Sequence, residues 1–215
     1  MWISFRISLH LRMLLYLHPE NPQPRNIKTI VACIQDGGII IYPTDTIYGL
    51  GCDIFQQKAV DRICRIKNIQ PQKAQFSFIC YNLSDLSKYA KAISTPVYRL
   101  LKAHLPGPYT FILPASKEVP RILKSKKDTV GIRIPDNNSA RSIVRELGHP
   151  ILSTTLPGEM VEEFTDPEVI HENFKGIVDI VVHGGPGGIV PSTVIDCTKD
   201  EPVVVREGLG EWVTE

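Results

Sequence analysis

The chain has no C-x-x-C pair, no histidines at metal-ligand spacing, and an odd count of five cysteines, at positions 33, 52, 64, 80 and 197. That argues against a zinc ribbon or a thioredoxin-like redox motif and gives no disulfide framework. The thiols read as reduced and mostly buried, as in a cytosolic protein. No apolar run is long enough to span a bilayer, because Arg6, His10 and Arg12 interrupt the apolar stretch from Met1 to Leu17. The same stretch lacks the small-residue cleavage site of a signal peptide. Nor is there an excess of charge: 24 Lys+Arg stand against 23 Asp+Glu, a net of +1. Any nucleic-acid surface would have to be a local basic patch. A G-x-x-x-x-G-K-[ST] loop, a G-x-G-x-x-G fingerprint, a paired-carboxylate site and a Ser-His-Asp context are all missing. So are internal repeats, heptads and low-complexity tracts.

What remains is an ordinary globular composition, 43% hydrophobic and 22% charged over 215 residues, which suits one domain with a real core. A second methionine, Met13, stands just before Leu14-Leu15-Tyr16-Leu17, which looks like a first strand. Residues 1–12 read as an upstream extension. His18 to Pro24 holds three prolines and is irregular. Ile27, Ile30, Val31 and Ile34 mark a helix that Gly37-Gly38 ends. Ile39-Ile40-Ile41 is a buried strand. Val60, Ile63 and Cys64 mark a second helix. Phe76 to Cys80 reads as a strand and Ser84 to Tyr89 as a short helix.

Thr95 caps a helix with Pro96 at its first position, burying Val97, Leu100, Leu101 and His104 until Pro106-Gly107-Pro108 stops it. Strands follow at Tyr109–Leu113 and Thr129–Ile134, with a helical turn at 119–123 between them. Ser139–Leu147 is a helix, and Ile151–Ser153 a short strand ending in a Ser-Thr-Thr turn. A helix begins near Asp166-Pro167. Ile177–Val182 is an apolar strand followed by a mobile or tightly turned Gly184–Gly188, and Val194-Ile195 and Val203–Val205 are the last strands. Helix and strand alternate throughout. That predicts an α/β sandwich, a single domain with helices on both faces of a twisted sheet.

The stretch Tyr42-Pro43-Thr44-Asp45-Thr46-Ile47-Tyr48-Gly49-Leu50-Gly51 stands out. It sets hydroxyl, carboxylate, hydroxyl and phenol at the mouth of a core strand, where α/β folds bind ligands. Other strand ends carry Lys67 and Lys73, Arg133, Ser153, Thr154 and Thr155, Ser192 and Thr193, and Arg206. A set of hydroxyls and cations suits an anion pocket, with Arg binding carboxylate or phosphate bidentately. Each residue also has a plainer reading. Arg133 and Arg206 could be surface arginines, Ser153 to Thr155 turn residues, and Asp45 an Asx-type turn.

These motifs resemble the YrdC/YciO family over nearly the whole chain from Met13, with 13–215 as the YrdC-like domain. The resemblance is carried by Tyr42 to Gly51, Pro106-Gly107-Pro108-Tyr109-Thr110, Gly131-Ile132-Arg133-Ile134-Pro135, Pro191 to Asp196 and Arg206-Glu207-Gly208, in the family's order. The His18-Pro19-Glu20-Asn21-Pro22 start looks most like the YciO branch. The resemblance implies a twisted mixed sheet with a large concave basic cavity that has affinity for nucleotides and double-stranded RNA. It also implies threonylcarbamoyl-AMP synthase activity, which joins L-threonine, bicarbonate and ATP with release of pyrophosphate and feeds tRNA modification. Thr44, Thr46 and Tyr48 would then line the threonine end. Lys67 would lie over the phosphates. Arg133, Ser153 and Thr155 would hold phosphate or carboxylate, and Ser192, Thr193 and Arg206 would close the cavity. Mg2+ would travel with ATP, with no protein-held metal.

Two departures from the family's synthases bear on this. They carry Lys-x-Arg where this chain has Lys67-Asn68-Ile69, and Ser-x-Ser-Ala-Asn where it has Ser153-Thr154-Thr155-Leu156-Pro157. Both lost groups belong to the nucleotide half, and Lys73 could replace only the charge of the missing arginine. The expectation is a cytoplasmic synthase-like enzyme of weak or altered activity. The alternatives are a non-catalytic protein holding RNA or nucleotide in the same cavity and a small-ligand sensor.

Overall fold

Ile39, Ile40, Ile41 and Tyr42 are all fully buried, although successive strand residues point to opposite faces of a sheet. Both faces are therefore covered at this strand. The computed structural model describes residues 13–70, 74–120, 123, 128–158, 164–199 and 201–212. Expectations for residues 1–12 and for Lys73 lie outside these, as does part of the 119–123 turn.

The strands are β1 Met13–Tyr16, β2 Ile40–Tyr42, β3 Gly49–Asp53, β4 Ser77–Ile79, β5 Tyr109–Pro114, β6 Thr129–Arg133, β7 Ile151–Thr155, β8 Ile180–His183, β9 Thr193–Asp196 and β10 Val203–Arg206. They form one ten-stranded sheet in the order β1-β8-β2-β3-β7-β4-β6-β5-β9-β10. The sheet is mixed. β8 pairs parallel with β1 and β2, β6 with β4, and β9 with β5, while β3–β7, β4–β7 and β5–β6 are antiparallel.

Among the described residues, six helices pack on it: α1 Pro24–Gln35, α2 Gln57–Ile66, α3 Leu83–Tyr89, α4 Thr95–His104, α5 Asn138–Leu147 and α6 Pro167–Phe174. One face of the sheet shares a core with α2, α3, α4 and α6, containing Leu50, Phe78, Phe111, Ile132 and Val181. The other face shares a core with α1 and α5, containing Ile40, Tyr42, Ile79, Ile151 and Ile180. The helices are cut by local chemistry. Asn137 caps α5 by accepting from Ala140 N at 3.0 Å, and Gly148 ends it at φ +83°. Asp166 caps α6.

The α1–α5 face is only partly covered. Ser77, Gly131, Ile112 and Asp196 lie side by side across β4, β6, β5 and β9, and each is half-buried. Their neighbours on the opposite face, Phe78, Ile132, Phe111 and Ile195, are at most 1% exposed. One half of this face is thus a core, and the other half is a more open floor formed by a serine, a glycine, an isoleucine and an aspartate.

The structure changes several of the expected elements. Gly49–Asp53 is a fully buried strand and not the close of a loop. Ser153–Thr155 continues β7 and is no turn, because Gly51 and Gly49 on β3 pair with Ser153 and Thr155. Ser94, not Thr95, is the N-cap position of α4, and only Val97 and Leu101 of its four expected residues are buried. The strand expected at Ile177 begins at Ile180, after Gly176 turns the chain at φ +83°.

Candidate functional site

Arg133 ends β6 and is 7% exposed, so it is not the surface arginine that its position alone allowed. Its Nη2 donates to Thr46 Oγ1 at 2.8 Å, approaches Thr44 Oγ1 at 3.5 Å, and pairs with Asp45 Oδ1. The loop between β2 and β3 thus folds its three central polar side chains onto one guanidinium. The hydroxyls around it are ordered. Thr44 donates to Ile47 O at 2.7 Å and accepts from Thr46 N at 3.0 Å. With its one proton placed there, the 3.2 Å Thr44–Thr46 contact has Thr46 as donor and Thr44 as acceptor.

A second arginine lies within range of the Arg133 charge. Arg206, at the end of β10, donates to Ser192 O through Nη2 at 2.7 Å and Nε at 3.2 Å, and to Ser192 Oγ at 3.2 Å. Ser192 Oγ also meets Thr110 Oγ1 at 2.9 Å. Burial lowers the pKa of Arg206, and repulsion from the Arg133 charge lowers it further. Two cations therefore share this part of the site. Thr193 serves the frame instead, its hydroxyl donating to Gly210 O at 2.6 Å.

Lys67 lies one residue past α2. Its Nζ donates to Thr155 O at 2.6 Å and to Thr155 Oγ1 at 3.1 Å, and partial burial lowers its pKa. Ser153 Oγ accepts from Tyr42 Oη at 2.6 Å. Tyr48 Oη donates to Gly185 O at 2.7 Å and accepts from Gly184 N at 3.3 Å. The glycine run is therefore fastened. Gly187 N donates to Thr165 O and Gly188 N to Thr46 O, both at 2.7 Å. A side chain on Gly188 would begin 2.6 Å from Thr46 O, so the strap can lie this close only without one.

The structure thus gathers Thr44, Thr46 and Arg133 into one hydrogen-bonded cluster with Asp45, and Ser192 and Arg206 into another with Thr110, the two arginines being near enough to repel. Lys67 and Thr155 form a second pair. Ser153, Thr193 and Tyr48 have hydroxyls engaged by the protein itself. Asp45 is the site residue that sequence reasoning missed. Its local sequence fits an Asx-type turn, and its partner lies 88 positions away. Among the described residues, no group of three or more His, Cys, Asp or Glu side chains could hold a metal ion. No described helix is long and apolar enough to cross a membrane.

The profile of the Sua5/YciO/YrdC family, described as telomere recombination, matches residues 32–208. The YciO protein of Escherichia coli K12 is 47% identical over 199 residues, covering 91% of this chain and 95% of YciO. Its crystal structure superposes with a TM-score of 0.85 over 93% of this chain and 97% of that one. A threonylcarbamoyl-AMP synthase of Pyrococcus abyssi is 32% identical over 190 residues, covering 88% of this chain but 56% of the synthase. The structure of P. abyssi Sua5 complexed with L-threonine matches with a TM-score of 0.81 at 29% identity, over 91% of this chain and 57% of that one.

Proposed function

Because this chain belongs to the Sua5/YciO/YrdC family, we propose that it is a threonylcarbamoyl-AMP synthase-like protein of weak or altered turnover, binding L-threonine together with ATP or an adenylate. In that reaction bicarbonate carboxylates the threonine amine with loss of water. A carbamate oxygen then attacks the α-phosphorus of ATP, the bond to the bridging oxygen breaks, and pyrophosphate leaves. No protein nucleophile is needed. The protein's part is to orient two anions and to offset charge on the transferring phosphoryl group.

The observation that carries this reading is the convergence of Thr44, Thr46 and Arg133 beside Arg206 and Ser192. Hydroxyls and a guanidinium held in fixed orientation suit a small hydroxylated carboxylate such as threonine. Ser192 and Arg206 would close the site over it. Lys67 would meet the phosphates alongside Thr155, with Ser153 behind it, and Lys73 would add charge to that half. Mg2+ would ride on the nucleotide, bound mainly through phosphate oxygens and water. A cytoplasmic setting belongs to the same proposal, and free cysteines fit a reducing compartment.

Weak turnover is proposed from the nucleotide half, where Ile69 and Pro157 stand in place of an arginine and an asparagine. Losing a bidentate cation from a phosphoryl transition state lowers the rate by on the order of a thousandfold. The test is pyrophosphate release from ATP that requires both L-threonine and bicarbonate, with threonylcarbamoyl-AMP identified by mass. Slow turnover with calorimetric binding of threonine supports the reading. Absence of both turnover and threonine binding overturns it. Binding of double-stranded RNA or tRNA that weakens steeply with salt, with no turnover, would shift it to a non-catalytic nucleic-acid or nucleotide binder using the same open face.

A further inference from the structure

The Arg133–Asp45 pair does not behave as a finished structural ion pair. Both side chains are shut away from solvent, 8% and 11% exposed. Yet Asp45 engages through Oδ1 alone. Its Oδ2 is buried without a hydrogen-bond partner, and so is Arg133 Nε. A guanidinium and a carboxylate fit each other through two parallel hydrogen bonds, and here they make one. A buried pair with an unpaired atom on each side recovers little of its desolvation cost.

Two other features point the same way. Nη2 is crowded, shared by Asp45, Thr46 and Thr44, while Nε on the same guanidinium has no acceptor. In addition, Arg206 is near enough to feel the charge of Arg133, so the guanidinium that Asp45 pairs has a second cation in range. Donor and acceptor are thus mismatched in place, with Nε and Oδ2 each left unserved. Asp45 itself sits in the loop between two strands, and strand hydrogen bonds do not hold it in place.

We propose that the Asp45 carboxylate is a resident anion. It occupies the place on Arg133 that the carboxylate or phosphate of a ligand takes, and it leaves that place when the ligand binds. The proposal rests on the anion-binding role of Arg133 given above and adds the residue that competes for it. It sets a selection rule. The incoming anion must present two oxygens, one for the Nη2 position that Asp45 vacates and one for the unserved Nε. Carboxylates and phosphates do this, and single-point acceptors do not. Because Gly188 N is hydrogen-bonded to Thr46 O, displacement of Asp45 also pulls on the glycine strap.

The test compares wild type with Asp45→Asn, which keeps the shape of the side chain and removes its charge. Calorimetry uses three probes, inorganic pyrophosphate, L-threonine and ATP. A resident anion that holds the site closed about ten to one lowers apparent affinity by that factor. The Asp45→Asn protein should therefore bind pyrophosphate or L-threonine roughly tenfold more tightly. Equal or weaker binding of every probe by the variant overturns the proposal. If the variant gains pyrophosphate affinity while neither protein binds threonine or ATP, the resident anion stands and the synthase reading falls. If wild type binds threonine and ATP and the variant binds no tighter, the synthase reading stands and the resident anion falls. Should the variant fail to fold, amide exchange on wild type decides. Saturating pyrophosphate should change exchange at the Thr46 and Gly188 amides, and unchanged exchange at both overturns the proposal.

Discussion

Tyr48 was expected at the threonine end of the site, but its hydroxyl reaches the glycine strap. It donates to Gly185 O and accepts from Gly184 N. Burial pushes its pKa up to about 12, so the proton it donates is present at any physiological pH. Tyr48→Phe would leave a carbonyl and an amide of the strap short of a partner. The expected loss is about 1–2 kcal/mol. A chain of this length loses about 2–4 °C of Tm per kcal/mol, so a thermal melt resolves the change, and faster amide exchange at Gly184 would place it. An unchanged melting temperature would mean that water replaces the hydroxyl. At this scale Thr44, Thr46, Arg133 and Arg206 were legible because polar residues at strand ends need a reason to be there. Asp45 was not. Its role depends on an arginine brought to it by the sheet, and no local spacing encodes that contact.

Among the elements, β3 was hidden by its glycines, which have no side chain to pack in a strand. The tertiary structure supplies the reason for them. A side chain at Gly49 would begin 3.0 Å from the Tyr42 ring and 3.1 Å from Ser153 Oγ, and one at Gly51 2.7 Å from Leu152 O. The glycines let Tyr42 lie across the sheet and reach Ser153, and the same pairing draws Ser153–Thr155 out of a turn and into β7. The helices were easier to read, since apolar spacing, caps and glycine stops are all local. The end of α2 links the two levels. Asn68 takes the left-handed conformation at φ +51°, its N–H reaches Arg65 O at 3.1 Å, and Ile69 N–H reaches Cys64 O at 3.0 Å. This is a Schellman close, in which an apolar residue after the left-handed one packs back on the helix. Ile69 thus completes the helix end with its backbone and leaves its half-buried side chain open to exchange. Ile69→Arg restores the synthase pattern beside Lys67. It should raise ATP affinity or turnover by about tenfold, as a bidentate phosphate contact would, at a stability loss within about 1.5 kcal/mol. No gain in either would remove Ile69 as the reason for weak activity and leave Pro157 to be tested.

Across the whole molecule, the division into a fully packed face and a half-open one follows from the sequence pattern only in part. Short apolar strands announced two-sided burial, and β2 and β8 have it. The open half of the second face is built from Ser77, Gly131, Ile112 and Asp196, four separate segments that become neighbours only through the strand order. The closed face has a different consequence. Burial pushes the Cys197 thiol up to about 11, from an ordinary 9, and raises Cys52 and Cys80 as well. The folded state therefore holds these protons more tightly than the unfolded chain does. Their contribution to stability is complete below pH 9, where both states are protonated, and is lost as pH rises from 9 towards 11 while only the unfolded chain ionises. Each such thiol lowers stability by up to about 1.4 kcal/mol per pH unit in that window. Urea midpoints should be level between pH 7 and 8.5 and fall steeply between pH 9 and 10.5, with the thiols reacting with Ellman's reagent only as the protein unfolds. A flat profile to pH 10.5, or rapid labelling of native protein, would mean that water reaches the face of the sheet that binds α2, α3, α4 and α6.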